Sequence, residues 1–476
     1  MNKLFSLVLL IGVFCSAEVK MPALFKDGMV LQRNKPVHVW GWAAAKEKVT
    51  VSFGGQTATV TSDANGKWLV TLKEMKANAT GSNLVIKGSN EITIKDVLVG
   101  EVWLCSGQSN MQWSMRQSSF KNEDIPKANF PKIRLFYVPR KTAPSPVKDV
   151  TGAWNACTPK TVTNFSAVGY NFGMNLHKKL NVPVGLICSS WGGTQIEPWT
   201  PIEGFNKVPS LASYAKAVTK LKSSKKAGRT SPSAIYNAMI YGLAPFSMRG
   251  AIWYQGESNV FKGDTVIYTD KTKALVEGWR HVFKQEDLSF YFVQIAPFSY
   301  VKPNKKKRHP SLDEYSLAKF WDAQTACMKA IKNCGMVVIT DITGNVNNIH
   351  PGNKRDVGYR LSLWALNKNY GKSEVVYSGP QFKSMEIKGN KAYISFDHIG
   401  GGLKSLNGKP LTHFKIAGAD KKFVDAKAVI EGDKVVVSAE GVATPVAVRF
   451  GWHQLAMGNF GNKEKLPAIQ FRTDNW

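Results

Sequence analysis

The sequence predicts an α/β fold, a parallel-sheet unit with helices, carried between two all-β segments. Between about residues 97 and 372, apolar strand-like runs alternate with helix-length segments, the signature of a parallel sheet covered by helices. On either side, residues 18–96 and 373–476 break into short β-type runs separated by turn residues. The chain has 476 residues, too many for one hydrophobic core, so two or three folded units are expected at about 150 residues each. With 43% hydrophobic and 20% charged residues, disordered, collagen-like and coiled-coil readings are excluded.

In the first segment the runs are Val37-His38-Val39-Trp40 and Lys48 to Phe53, with Asp63-Ala64-Asn65-Gly66 as a turn. The α/β unit supplies Val97 to Cys105, Val184 to Cys188, Gly250 to Tyr254, Phe290 to Ile295 and Met336 to Thr340. A basic amphipathic helix is expected from about Asn353. The β pattern returns at Ala392 to Phe396, Lys434 to Val437 and Val446 to Phe450.

Residues 1–17 combine Lys3, the apolar run Leu4 to Phe14 and the small residues Ser16-Ala17. They read as a signal peptide cleaved after Ala17, for a secreted or periplasmic protein. No later run approaches the ~20 apolar residues of a membrane helix, so membrane insertion is not expected. Export would place Cys105, Cys157, Cys188, Cys327 and Cys334 in an oxidising compartment. Buried thiols are the expectation, with a Cys327–Cys334 bridge as the alternative. The spacing of these cysteines fits no zinc site, and no metal is implied.

Lys and Arg number 63 against 34 acidic residues, a net charge of +29. The basic clusters Lys222 to Lys226 and Lys305-Lys306-Lys307-Arg308 lie in loop-like stretches without interleaved aromatics, which argues against nucleic acid. A positive field suits an anionic substrate, and otherwise solvates the surface.

Ligand sites of parallel α/β sheets collect at the carboxyl ends of the strands. Four segments fall there: Gly107-Gln108-Ser109-Asn110-Met111, Trp191-Gly192-Gly193, Gln255-Gly256-Glu257-Ser258 and Ile349-His350-Pro351. Serine attacks an ester only when a base takes its proton, and histidine is the usual base. Ser109 and His350 are the candidates for these roles. Oxyanion donors would be the Ser109 amide, a Gly192 or Gly193 amide and the Gln255 side chain. Met111 occupies the last place of a Gly-x-Ser-x-Gly elbow, which disfavours an α/β-hydrolase.

These four segments, with Phe25 to Arg33 near the start and Val448 to Trp452 near the end, resemble the sialate O-acetylesterases, a branch of the SGNH hydrolases. The resemblance implies a flavodoxin-like three-layer α/β/α domain at 97–372. It further implies β-sandwich-type domains from the terminal segments, with 373–476 packing against 18–96. Carried over, the nucleophile falls on Ser109 and the base on His350. Asn347 stands where such enzymes commonly carry the triad aspartate, leaving Glu257, Asp341 and Asp356 as candidates for a third member or support.

Each residue also has a plainer reading. Ser109 could cap a helix, His350 could be a backbone-bonded loop histidine, and Glu257 could be a buried acceptor holding loops together. Trp113 and Trp191 could stack on a sugar or fill the core, where Trp253 belongs. Arg116 is a candidate partner for a substrate carboxylate. The function expected is removal of O-acetyl groups from sialic acid without a cofactor, the substrate being a small molecule or a glycan. The alternatives are an acetylesterase for xylan or another acetylated glycan, and a non-catalytic carbohydrate-binding protein on a hydrolase scaffold.

Overall fold

The computed structural model describes residues 18–303 and 305–476, so the expected signal peptide lies outside the described residues. One long strand, Glu91–Gly107, organises the molecule. Its first half alternates in burial and pairs antiparallel with Asn78–Lys87. From Val97 onward it is mostly apolar, buried throughout, and parallel to Val184–Ser190 on one side and Gly250–Tyr254 on the other. The strand thus runs unbroken across the 96/97 position where two domains would be divided.

The central sheet continues through Ser289–Val293 to Cys334–Val337 on one side and through Phe130–Tyr137 to Trp154–Cys157 on the other. All pairs are parallel except the last. The five strands legible as apolar runs lie, in chain order, as 2-1-3-4-5, the doubly wound arrangement with its switch point beside the first strand. Phe130–Tyr137 escapes the apolar pattern because Pro131, Lys132 and Arg134 interrupt it. Arg134 is accommodated by an ion pair to Asp96 at 2.7 Å.

Opposite pleats of the sheet meet different helices. Trp103 packs on Phe172 of the helix Ala167–Leu180, with ring centroids 4.9 Å apart. Trp253, buried in the core as expected, meets Trp279 of Ile267–Phe283 at 5.8 Å. The helix expected from Asn353 spans Lys354–Tyr370 with Asn353 as its cap, but it is buried over most of its length rather than amphipathic. Gly358 explains part of this: a Cβ there would stand 2.7 Å from Asn171 and the Phe172 backbone, so the helix packs closely on Ala167–Leu180 along one face.

The C-terminal segment forms two four-stranded antiparallel sheets around a shared core that includes Ile394, Phe396, Phe414, Phe450 and Phe471. Among the described residues no sheet or hydrogen bond joins the two terminal β segments to each other. Each seats on the α/β unit instead, the first through Ala23–Asp149 and Arg33–Glu101, the second through Gln294–Gln470 and Arg472–Asp322. All five described cysteines are free, and Cys105, Cys157, Cys188 and Cys327 are buried. No described helix is long and apolar enough to cross a membrane.

Glu101, fully buried where the central strand enters the sheet, accepts from Gln32 at 2.9 Å, Arg33 at 2.6 Å and Arg249 at 3.1 Å. Removing one partner of a buried ionic group strands the others, so Glu101→Ala is expected to lower unfolding free energy by about 3–5 kcal/mol in urea titration.

Candidate active site

The sheet ends here in a turn that only glycine adopts comfortably. Gly107 has φ +136°, and a Cβ on it would lie 2.2 Å from the Tyr254 carbonyl. Its own carbonyl accepts from the Trp191 amide at 3.0 Å, and the Gln108 amide donates to the Tyr254 carbonyl at 2.9 Å. Three of the four motif segments are thereby locked together at the switch point. Ser109 follows at the first position of the short helix Ser109–Gln112.

The Ser109 hydroxyl lies 2.9 Å from His350 Nε2. The helix-cap reading of Ser109 therefore gives way, since Gln108 is the cap residue. His350 stacks on Trp113 with centroids 4.7 Å apart and an interplanar angle of 24°, and its amide donates to Asn348 Oδ1 at 3.0 Å. Burial, and then the positive charge of Lys354, hold the imidazole below its ordinary 6.5, so it is neutral at neutral pH.

The amides of Ser109 and Gly193 have no protein acceptor among the described residues. Two of the expected oxyanion donors have other partners. The Gly192 amide donates to Gln112 Oε1 at 2.7 Å. Gln255 is fully buried, with Nε2 within bonding distance of Asn259 Oδ1 at 2.7 Å and of Gln108 Oε1 and the Thr194 carbonyl at 3.1 Å, so its amide is already used.

None of the three expected carboxylates bonds to His350. Asp341 pairs with both ends of the Arg360 guanidinium, at 2.7 and 2.6 Å. Asp356 accepts from Asn353 at 2.7 Å at a helix start. Glu257 accepts from Asn110, fitting its plainer reading as a buried acceptor, and burial pushes its pKa up. Asn347, in the aspartate's usual place, has its amide bonded to Asn345 Oδ1 at 2.9 Å.

Ser109, His350 and Gly193 open onto a cleft of 440 Å³ that Arg229, Lys262 and Arg308 also line. Arg116 is elsewhere, lining a neighbouring 620 Å³ groove with Tyr137, Arg140 and Asn155. Trp113 faces the His350 imidazole, and Trp191 is half-buried against the main core. Sequence reasoning missed Gln112, Arg229 and Arg308. Arg308 ends a basic cluster that reads as solvated surface, and only the fold brings it over the Phe261 ring at 3.9 Å beside the serine.

A hydroxyl in contact with an imidazole, beside free amides at the mouth of a doubly wound sheet, is equipment for acyl transfer, and the family and relatives that match make the protein a carboxylic ester hydrolase. The chain belongs to the carbohydrate esterase family of sialic acid-specific acetylesterases, whose family model matches residues 99–361. It is 29% identical over 413 residues to the human sialate O-acetylesterase, covering 80% of this chain and 76% of that protein. The mouse sialate O-acetylesterase is 28% identical over 419 residues, covering 78% and 77%. Among solved structures, a carbohydrate acetylesterase from Xanthomonas citri superposes with a TM-score of 0.85 at 38% identity, covering 96% of this chain and all of that one.

Proposed function

We propose that this protein is an exported esterase that removes O-acetyl groups from sialic acids through an acetyl-Ser109 intermediate, on an SGNH α/β/α three-layer domain. The carrying observation is the 2.9 Å contact between Ser109 Oγ and His350 Nε2. His350 takes the hydroxyl proton as Oγ attacks the acetyl carbonyl carbon. The resulting oxyanion is held by the Ser109 and Gly193 amides. His350 then returns the proton to the departing sugar oxygen, leaving acetyl-Ser109. Water, deprotonated by the same imidazole, attacks that ester and releases acetate.

The choice of an anionic sugar is supported by the cleft itself, which Arg229, Lys262 and Arg308 line together with the serine and whose sole lining carboxylate, Glu257, is buried. A guanidinium reads a carboxylate through paired hydrogen bonds. With acetylated sialosides, Arg229→Gln and Arg308→Gln are each expected to raise KM about tenfold, as for a charge-assisted bond, leaving p-nitrophenyl acetate turnover unchanged. A second reading, an acetylesterase acting on xylan or another acetylated glycan, is compatible with the end-to-end likeness to the Xanthomonas citri carbohydrate acetylesterase, whose name specifies no sugar. A panel of acetylated sialosides and xylo-oligosaccharides decides: equal wild-type rates on both would overturn the narrow assignment.

A further inference from the structure

Beneath the Ser109–His350 pair lies a buried polar cluster that the reaction as described does not use. Asn110, the residue after the serine, is fully buried, and each end of its amide is engaged. Its Nδ2 donates to the Ile349 carbonyl at 3.0 Å, in the peptide that leads into His350, and to Glu257 Oε1. Its Oδ1 accepts from Lys354 Nζ. One side chain therefore joins the serine turn, the histidine loop, the Glu257 segment and the first turn of the helix Lys354–Tyr370.

The cluster is expensive to bury. Lys354 is fully buried, and Glu257 Oε2 is buried with no hydrogen-bond partner among the described residues. Desolvation drives the lysine down, to about 7, and the glutamate up. Replacing buried ionic groups by apolar residues of similar shape is often neutral or stabilising, so burial of this cluster is weak ground for a role in stability. The ammonium lies 5.9 Å from the centre of the Trp113 ring, whose face carries the His350 imidazole. The cluster thus abuts both supports of the histidine, its preceding peptide and its stacking partner.

We propose that Asn110, held in register by Lys354 and Glu257, is a positioning residue that fixes the His350 loop to the Ser109 turn. It would supply the orientation that a triad carboxylate gives elsewhere. The inference rests on Ser109 and His350 being nucleophile and base. In Asn110→Ala the two segments lose their direct tie while the substrate cleft keeps its lining. A displacement of about 1 Å at reacting groups is worth about 100-fold in rate.

The test is steady-state kinetics on p-nitrophenyl acetate and an acetylated sugar, with thermal unfolding measured in parallel. Asn110→Ala is expected to lower kcat about 100-fold with KM within about twofold of wild type. Lys354→Met, which keeps volume but loses the bond to Asn110, is expected to lower kcat about tenfold. A folded Asn110→Ala with wild-type kcat, or with its loss entirely in KM, overturns the proposal. Should that variant not fold, Lys354→Met decides by the same criterion. Ser109→Ala run alongside separates the two levels. Retained turnover there removes the nucleophile and the tether together. A dead Ser109→Ala with an unimpaired Asn110→Ala removes the tether alone.

Discussion

Ser109→Ala is expected to lower kcat for p-nitrophenyl acetate and for acetylated sugars by about 10⁴ to 10⁶-fold, roughly 5–8 kcal/mol of transition-state stabilisation. The hydroxyl's hydrogen-bond partner is His350, and the backbone turn is set by Gly107 and the strand-end bonds. Deleting one oxygen should therefore leave the melting temperature nearly unchanged, and the loss can be read as chemistry. The expected residue of activity reflects the free amides of Ser109 and Gly193, which still polarise a carbonyl. A variant within tenfold of wild type would show that the ester is attacked by something else. A wild-type protein inert to the probe yet retained on sialylated glycans would favour the carbohydrate-binding alternative.

The parts of this site legible in the sequence are those where chemistry and chain punctuation coincide. Ser109, the Gly192-Gly193 turn and the Gln255–Ser258 segment each follow a continuous apolar run, because a strand buried on both faces must be apolar and its carboxyl end must turn. Topology then brings His350 to Ser109 across 241 positions, a histidine marked in the sequence by its place beyond the strand-like run Met336 to Thr340 and by the resemblance of Ile349-His350-Pro351. What the sequence hid were second partners. Gln255 and Gly192 have the donors an oxyanion needs, but Asn259, Gln108, Thr194 and Gln112 take them, and no local pattern reports such three-dimensional competition. Lys354 opens what reads as a basic amphipathic helix, yet the close approach at Gly358 covers one face of it and most of its length is buried. Arg308 reads as solvated charge because its loop carries no periodicity, and Arg229 stands in no pattern at all. The strand Phe130–Tyr137 failed for the opposite reason, its Pro131 and Arg134 breaking a pattern that Asp96 restores in space.

His350→Ala is expected to lower kcat by about 10³ to 10⁴-fold, somewhat less than loss of the nucleophile, since water can still accept the serine proton slowly. The pH profile gives this prediction a sharper edge. The active imidazole is neutral, so kcat/KM rises with pH through the His350 titration and is level above it. Burial first, and Lys354 second, both disfavour the imidazolium, which places that limb below 6.5. A carboxylate on Nδ1 would act in the opposite direction by stabilising the cation. Among Glu257, Asp341 and Asp356 none is bonded there. Wild-type kcat/KM should thus be flat from about pH 7 upward and fall on acidification, and the His350→Ala variant should lose that limb altogether. Adding the neutral base imidazole to His350→Ala should restore part of kcat, because the missing ring leaves space beside Trp113. A wild-type limb at or above pH 7 would mean that an anionic partner orients His350 during turnover, and the Ser–His dyad held by backbone and stacking would have to be abandoned.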